Sequence, residues 1–269
     1  MSRTTASELS KRKNATPIVV LTAYTAPVAR ILDKHVDILL VGDSMGMVLY
    51  GMKDTLDVTI DMMIAHGRAV VNASQKALVV IDMPYGTYEE SKEQALASAQ
   101  RIIKETGAQA VKLEGGKVMA DTIRYLVAND IAVMGHVGLL PQHVREMGGY
   151  KIQGKTPEAA EVILQDALAV QEAGAFAMVI EATKEDVART ITGKLKIPTI
   201  GIGASSACDG QVLVIDDMLG LSSYIPSFAK TYADAAALID KAASAYAADV
   251  KSRAFPSEQF VFTGEKKKP

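Results

Sequence analysis

Apolar runs that stop abruptly at a polar or charged residue recur along the chain, and they constrain the fold more than any other feature. Asp37-Ile38-Leu39-Leu40-Val41-Gly42 runs into Asp43-Ser44, and Leu78-Val79-Val80-Ile81 runs into Asp82. Ala110-Val111 leads to Lys112-Leu113-Glu114, Ala132-Val133-Met134-Gly135 to His136, and Ala177-Met178-Val179-Ile180 to Glu181. Short runs rich in Val and Ile read as strands buried on both faces of a parallel sheet. Ligands of parallel α/β sheets bind outside the carboxyl ends of the strands, so these polar residues gather on one rim. Several acids, a lysine and a histidine on that rim point to a catalytic centre rather than a plain scaffold.

Further apolar runs at 17–24, 197–202 and 211–215 bring the strands to eight, and amphipathic segments separate them. Helices are expected over 26–35, 59–74, 88–105, 117–128 and 184–195, with another that carries Pro157 in its first turn. Two more helical stretches follow the last strand, the second over about 232–250. Eight strands alternating with helices in 269 residues predict a single (β/α)8 TIM barrel with extra C-terminal helices. An open flavodoxin-like or Rossmann sheet is the runner-up, and the lack of an early Gly-x-Gly-x-x-Gly weakens it. No linker or longer repeat interrupts the pattern. One domain is therefore expected over 1–269, with a short flexible N-terminal arm over about 1–15 and a disordered tail over about 262–269.

Hydrophobic residues make up 49% of the chain, ample for a core, and the formal charge of −2 comes without a basic stripe, which argues against nucleic acid as a partner. The single cysteine, Cys208, excludes an intrachain disulfide and fits a reducing compartment. Residues 1–15 are polar and basic with no apolar stretch, and no run approaches the length of a membrane span. A soluble cytoplasmic protein is the expectation.

Asp43, Asp82 and Glu114 end consecutive strands, hence adjacent places on the rim. Carboxylates that close repel unless a cation, a proton or a lysine lies among them. Oxygen ligands without a Cys/His cluster suit a hard ion, Mg²⁺ by default and Mn²⁺ as the other choice. The competing reading is that one or two of these acids only cap helices. Lys112 and Glu114 stand two apart on one strand and share a face, the interior of a barrel. An inward lysine beside a metal suits a substrate carboxylate or a developing enolate; a buried Lys–Glu ion pair and a Schiff-base lysine are the alternatives. Glu181, across the barrel from the acids, is a general base or a helix cap. His136 is a core histidine or a side chain standing behind the metal ligands. Ser44 has no evident His partner and reads as a hydrogen-bond donor.

Several strings resemble the ketopantoate hydroxymethyltransferase family: Thr22-Ala23-Tyr24, Val41-Gly42-Asp43-Ser44-Met45-Gly46-Met47, Asp82-Met83-Pro84, Val111-Lys112-Leu113-Glu114-Gly115-Gly116, Gly135-His136-Val137-Gly138-Leu139, Pro141-Gln142, Gly148-Gly149-Tyr150-Lys151-Ile152-Gln153-Gly154, Val179-Ile180-Glu181 and Ile200-Gly201-Ile202-Gly203-Ala204. They fall in the family's order from about 17 to 260. The resemblance implies a barrel that assembles into a homo-oligomer, typically a decamer of stacked pentamers. It implies Mg²⁺ held by Asp43 and Asp82, with Glu114 in the metal's shell directly or through water. Asp43, Ser44, Asp82 and Lys112 would contact 2-oxoisovalerate, Glu181 would be the base, and 5,10-methylenetetrahydrofolate would donate the carbon to give 2-dehydropantoate in pantothenate synthesis. The chain departs from the family pattern at Thr25, Thr183-Lys184, Ser205 and Phe260, none of them a metal or base position. A Mg²⁺-dependent lyase of the phosphoenolpyruvate mutase/isocitrate lyase type is the alternative enzyme. A non-catalytic barrel is the reading from another class, and the retained acids and lysine argue against it.

Overall fold

The computed structural model describes residues 3–262. Contact density divides the chain into two compact units, Met1–Ile215 and Asp216–Pro269.

The first unit is a closed barrel of eight parallel strands in sequence order. They are β1 (Ile18–Thr22), β2 (Ile38–Val41), β3 (Leu78–Asp82), β4 (Ala110–Lys112), β5 (Val133–Gly138), β6 (Ala177–Glu181), β7 (Thr199–Ile202) and β8 (Gly210–Leu213). The expected barrel is the one found. Its interior is filled by alternate residues of the strands: Ile18 and Val20, Ile38 and Leu40, Leu78 and Val80, Ala110, Met134, Ala177 and Val179, Ile200, Val212. Side chains alternate along a strand, so the next inward positions are Asp82 on β3, Lys112 and then Glu114 from β4, His136 on β5 and Glu181 on β6. The periodicity that packs the barrel thus lifts five polar side chains to the carboxyl end of its interior. The other face is apolar too, packed under the helices, and at Gly67 of helix Ile60–Ala73 a Cβ would come within 2.4 Å of Ile81.

Three local features depart from the expected organisation. In the N-terminal segment, expected as an arm over about 1–15, the described residues include a helix. Helix Ala6–Ser10 carries a capping box, with Thr5 bonded to Glu8 N–H and Glu8 returning to Thr5. Its Leu9 is fully buried in the barrel's interior cluster, beside the residues that begin the strands. Arg3 donates to Ser74 Oγ at 3.0 Å and to the Ala77 carbonyl at 2.7 Å, and Lys13 pairs with Asp209 at 2.8 Å. Second, the helix expected from 88 begins later, at Lys92, and runs to Thr106. Ser91 is its N-cap, accepting from Gln94 N–H at 3.1 Å, and Tyr88 is left in the preceding loop with its ring buried. Third, the segment 117–128 splits into a 3-10 turn, Lys117–Met119, and helix Ala120–Ala128.

The second unit holds helix Ala235–Ser252, N-capped by Asp234 on Ala237 N–H at 3.0 Å. After it, Phe255 packs its ring against Tyr246 and Phe260 at centroid distances of 5.6 Å in both pairs. Of the tail expected to be disordered, 263–269 lie outside the described residues. Among the described residues no helix is long and apolar enough to cross a membrane.

Candidate active site

Strand registers bring the polar residues into contact. Asp82 and Lys112 are register partners on β3 and β4, and Lys112 Nζ lies 3.0 Å from Asp82 Oδ1. The same ammonium is 3.2 Å from His136 Nδ1. His136 Nδ1 is 3.5 Å from Glu114 Oε1, and its Nε2 is 3.3 Å from Glu181 Oε2. Asp43, just past β2, donates its backbone N–H to Asp82 Oδ2 at 3.2 Å. Gly138 ends β5 at φ +94°, where a Cβ would sit 2.4 Å from the Glu181 carbonyl. Glycine there lets the chain pass beside β6 at the height of Glu181.

The cluster is dry and overcharged. Asp43, Asp82, Lys112, Glu114 and His136 are all buried, whereas the Glu181 side chain keeps 16% of its exposure. Carboxylates of Asp43, Asp82, Glu114 and Glu181 therefore face one ammonium and one imidazole. Burial raises Asp43, against the pull of Lys112. Burial, with the Asp43 charge added, pushes Asp82 up to about 7. Burial holds Glu114 well above the usual carboxylate range. Burial alone would lower Lys112, but Asp82, Glu114 and Asp43 outweigh it and the net shift is upward. Burial and then the Lys112 charge lower His136, so the ring is neutral. Lysine can only donate, so Nδ1 accepts and the ring hydrogen belongs on Nε2, the nitrogen facing Glu181.

The sequence-predicted residues meet in one place. His136, read from the sequence as a core histidine or a side chain behind the metal ligands, lies between Lys112 and Glu114 on one side and Glu181 on the other. Within the expected shell of Asp43, Asp82 and Glu114, Glu114 Oε2 accepts from Gln142 N–H at 3.0 Å and Oε1 lies 3.5 Å from His136 Nδ1. Among the described residues no group of three His, Cys, Asp or Glu is arranged to hold a metal. Asp43 and Asp82 remain adjacent, and Asp82 Oδ1 is buried without a hydrogen bond, Lys112 lying outside bonding geometry. Mg²⁺ is held by one or two protein carboxylates, completed by water and substrate, so this pair of hard oxygen donors in an anionic site fits the ion.

Ser44 precedes the short helix Met45–Val48 and its hydroxyl lies 2.9 Å from Tyr24 Oη. Two members had no predicted role. Tyr88, from the loop after β3, and Gln142, from the 3-10 turn Pro141–His143 after β5, are both buried against the cluster. The Ser91-x-x-Gln94 cap would have shown that Tyr88 precedes the helix; nothing in the local pattern marks Gln142. Beside Gln142, a cavity of about 290 Å³ is walled by Tyr85, His143 and Arg145 among others.

A family model for ketopantoate hydroxymethyltransferase matches residues 3–258. The chain is 55% identical over 265 residues to the 3-methyl-2-oxobutanoate hydroxymethyltransferase of Rhizobium rhizogenes, covering 98% of this chain and 97% of the relative. It is 57% identical over 259 residues to the enzyme of that name from Mesorhizobium japonicum, covering 96% of this chain and 91% of the relative. Among solved structures it is similar to phosphonopyruvate hydrolase in complex with oxalate and Mg++, with a TM-score of 0.61 and 12% identity over 95% of this chain and 93% of the other. At that identity the likeness speaks for the fold alone.

Proposed function

The chain belongs to the ketopantoate hydroxymethyltransferase family, a family of transferase enzymes, and on that premise we propose that it turns 2-oxoisovalerate into its enolate and joins that enolate to the one-carbon unit of 5,10-methylenetetrahydrofolate. With water supplying the hydroxyl and tetrahydrofolate leaving as the C–N bond to the transferred carbon breaks, the product is 2-dehydropantoate, an intermediate of pantothenate and CoA synthesis. The observation that carries this reading is the chain of contacts Asp82–Lys112–His136–Glu181 across the barrel mouth. It sets a fixed cation and an accessible carboxylate on opposite sides of one small space.

Lys112 places a permanent positive charge where the carboxylate and keto oxygen of a 2-oxo acid converge, and it stabilises negative charge developing on that oxygen. Glu181 is the cluster carboxylate with solvent access, so it can reach a C3–H and take the proton at Oε. His136, neutral, sets its Nε2 3.3 Å from Glu181 Oε2, outside hydrogen-bond geometry, and fixes the space beside that carboxylate. Ser44, beside Tyr24, donates to the substrate carboxylate. Asp43 and Asp82 would hold Mg²⁺, which when bound supplies Lewis-acid polarisation of the keto group.

Many lyases of the alternative type place a reactive cysteine in a loop, and that reading loses ground on Cys208, the chain's one cysteine. It is buried, accepts from Thr192 Oγ1 at 3.6 Å, and Thr192 in turn bonds Thr199 at the start of β7. That is the end of the barrel away from the site, so it is no reactive loop thiol. We also propose a homo-oligomer, supported by the Leu238, Ile239 and Tyr246 side chains that helix Ala235–Ser252 leaves exposed. A turnover assay with 2-oxoisovalerate and 5,10-methylenetetrahydrofolate tests the reaction. Formation of 2-dehydropantoate is the expected result, and its absence with both substrates and Mg²⁺ present overturns the proposal.

A further inference from the structure

Gln142 has no part in the reaction assigned so far, yet it bonds two of the cluster's carboxylates, Asp43 and Glu114. It is 2% exposed, and Tyr88, which backs it, is 0% exposed. Gln142 Nε2 donates to Asp43 Oδ2 at 2.8 Å and to the Met83 carbonyl at 2.9 Å. Its backbone N–H donates to Glu114 Oε2 at 3.0 Å. Its Oε1 accepts from the Tyr88 hydroxyl, and the Tyr88 oxygen accepts the Glu114 N–H at 3.3 Å.

These partners fix the amide's orientation by elimination. A peptide carbonyl only accepts, so the Gln142 atom beside Met83 is the nitrogen. A peptide N–H only donates, so the Tyr88 oxygen accepts from Glu114 and its single hydrogen goes to Gln142 Oε1. Both amide hydrogens of Gln142 are then committed, one of them to Asp43 Oδ2. That oxygen is an acceptor tied to the loop after β5, and Oδ1 is the oxygen of Asp43 that Gln142 does not engage. The Tyr88 hydroxyl also opposes a turn of the amide, and turning it would set Oε1 against the Met83 carbonyl and the Asp43 carboxylate.

We infer that Gln142, held by the Tyr88 hydroxyl, is a positioning residue that holds Asp43 by Oδ2 so that Oδ1 serves a divalent cation, while its main chain holds Glu114 by Oε2. The inference rests on the proposed Mg²⁺ site. Groups that hold a metal ligand from behind commonly change metal affinity about 10–100-fold when removed. A side chain that merely fills space would leave affinity unchanged once the protein has folded.

The test is calorimetric titration of Mg²⁺ into the full-length parent, Gln142→Met and Tyr88→Phe, with thermal melts and steady-state turnover alongside. Gln142→Met preserves volume and removes the hydrogen bonds. It should weaken Mg²⁺ binding about 10–100-fold, with kcat at saturating Mg²⁺ falling by less than that factor. Tyr88→Phe removes the hydroxyl that holds Oε1 and should weaken binding in the same direction by a smaller factor. Folded variants that bind Mg²⁺ within twofold of a parent that itself binds overturn the role of Gln142 and leave the proposed function standing. If Gln142→Met does not fold, Tyr88→Phe decides alone, and parental affinity in it overturns the inference. A parent that does not bind Mg²⁺ overturns the metal site and the inference together.

Discussion

Asp82 should make the metal-free protein less stable as pH rises from 5 to 8. Its carboxyl is buried at 3% exposure, and burial together with the Asp43 charge lifts it to about 7 from an ordinary value of 3.8. A folded-state value above the unfolded one means the native state binds the proton more tightly. That contribution to stability is complete below about 3.8 and is lost as pH rises through about 7. Integrated from pH 5 to pH 8, the loss from this group is about 2–3 kcal/mol. Asp43 and Glu114, also raised, act in the same direction. His136 is lowered and acts in the opposite one, gaining stability as pH rises. Comparison with Asp82→Asn separates Asp82 from these, because asparagine keeps the shape and cannot titrate. Chemical denaturation of both proteins in chelator at pH 5, 6, 7 and 8 supplies the numbers. The parent-minus-variant difference should fall by about 2–3 kcal/mol across the series. A difference that stays flat within about 0.5 kcal/mol, or that grows with pH, refutes the burial argument.

Three other outcomes follow from the same structure. Asp43→Ala and Asp82→Ala should abolish Mg²⁺ binding and turnover while far-ultraviolet circular dichroism stays that of a folded barrel, and Mg²⁺ binding by the parent at pH 6 should release a proton, read from calorimetry in two buffers of different ionisation enthalpy; full activity in excess chelator contradicts this. Leu9→Ala should destabilise by about 2–5 kcal/mol in denaturant, whereas the exposed Ile31→Ala should stay within about 0.5 kcal/mol; equal effects mean that the N-terminal helix does not plug the barrel. Light scattering at micromolar concentration should report a mass many times the 28.6 kDa of one chain, and a monomer contradicts the proposed assembly.

The barrel was legible because one period does two jobs. The alternation that sends Leu78 and Val80 inward sends Asp82 inward as well, and Ala110 does the same for Lys112 and Glu114. Height on the rim could therefore be read from spacing, and so could the meeting of these residues with Glu181. Partner choice could not. Whether Glu114 joins Asp43 and Asp82 depends on Gln142, which reaches it from a loop 28 residues further along. The N-terminal segment escaped for a different reason. Helix Ala6–Ser10 has five residues and one buried side chain, too short to show a period, and only the Thr5-x-x-Glu8 cap gave it away. Tyr88 was absorbed into a helix because its neighbours are polar, although Ser91 and Gln94 mark the true start.

The central claim is that Glu181 removes the C3 proton of a 2-oxo acid held beside Lys112, before any carbon is transferred. Proton NMR of 2-oxoisovalerate in D₂O, with enzyme and Mg²⁺ but no folate, measures that step alone. The parent should exchange the C3 proton, and Glu181→Gln should slow both exchange and turnover by about 10²–10⁴-fold. Exchange by Glu181→Gln at the parental rate would contradict the account and pass the role of base to His136.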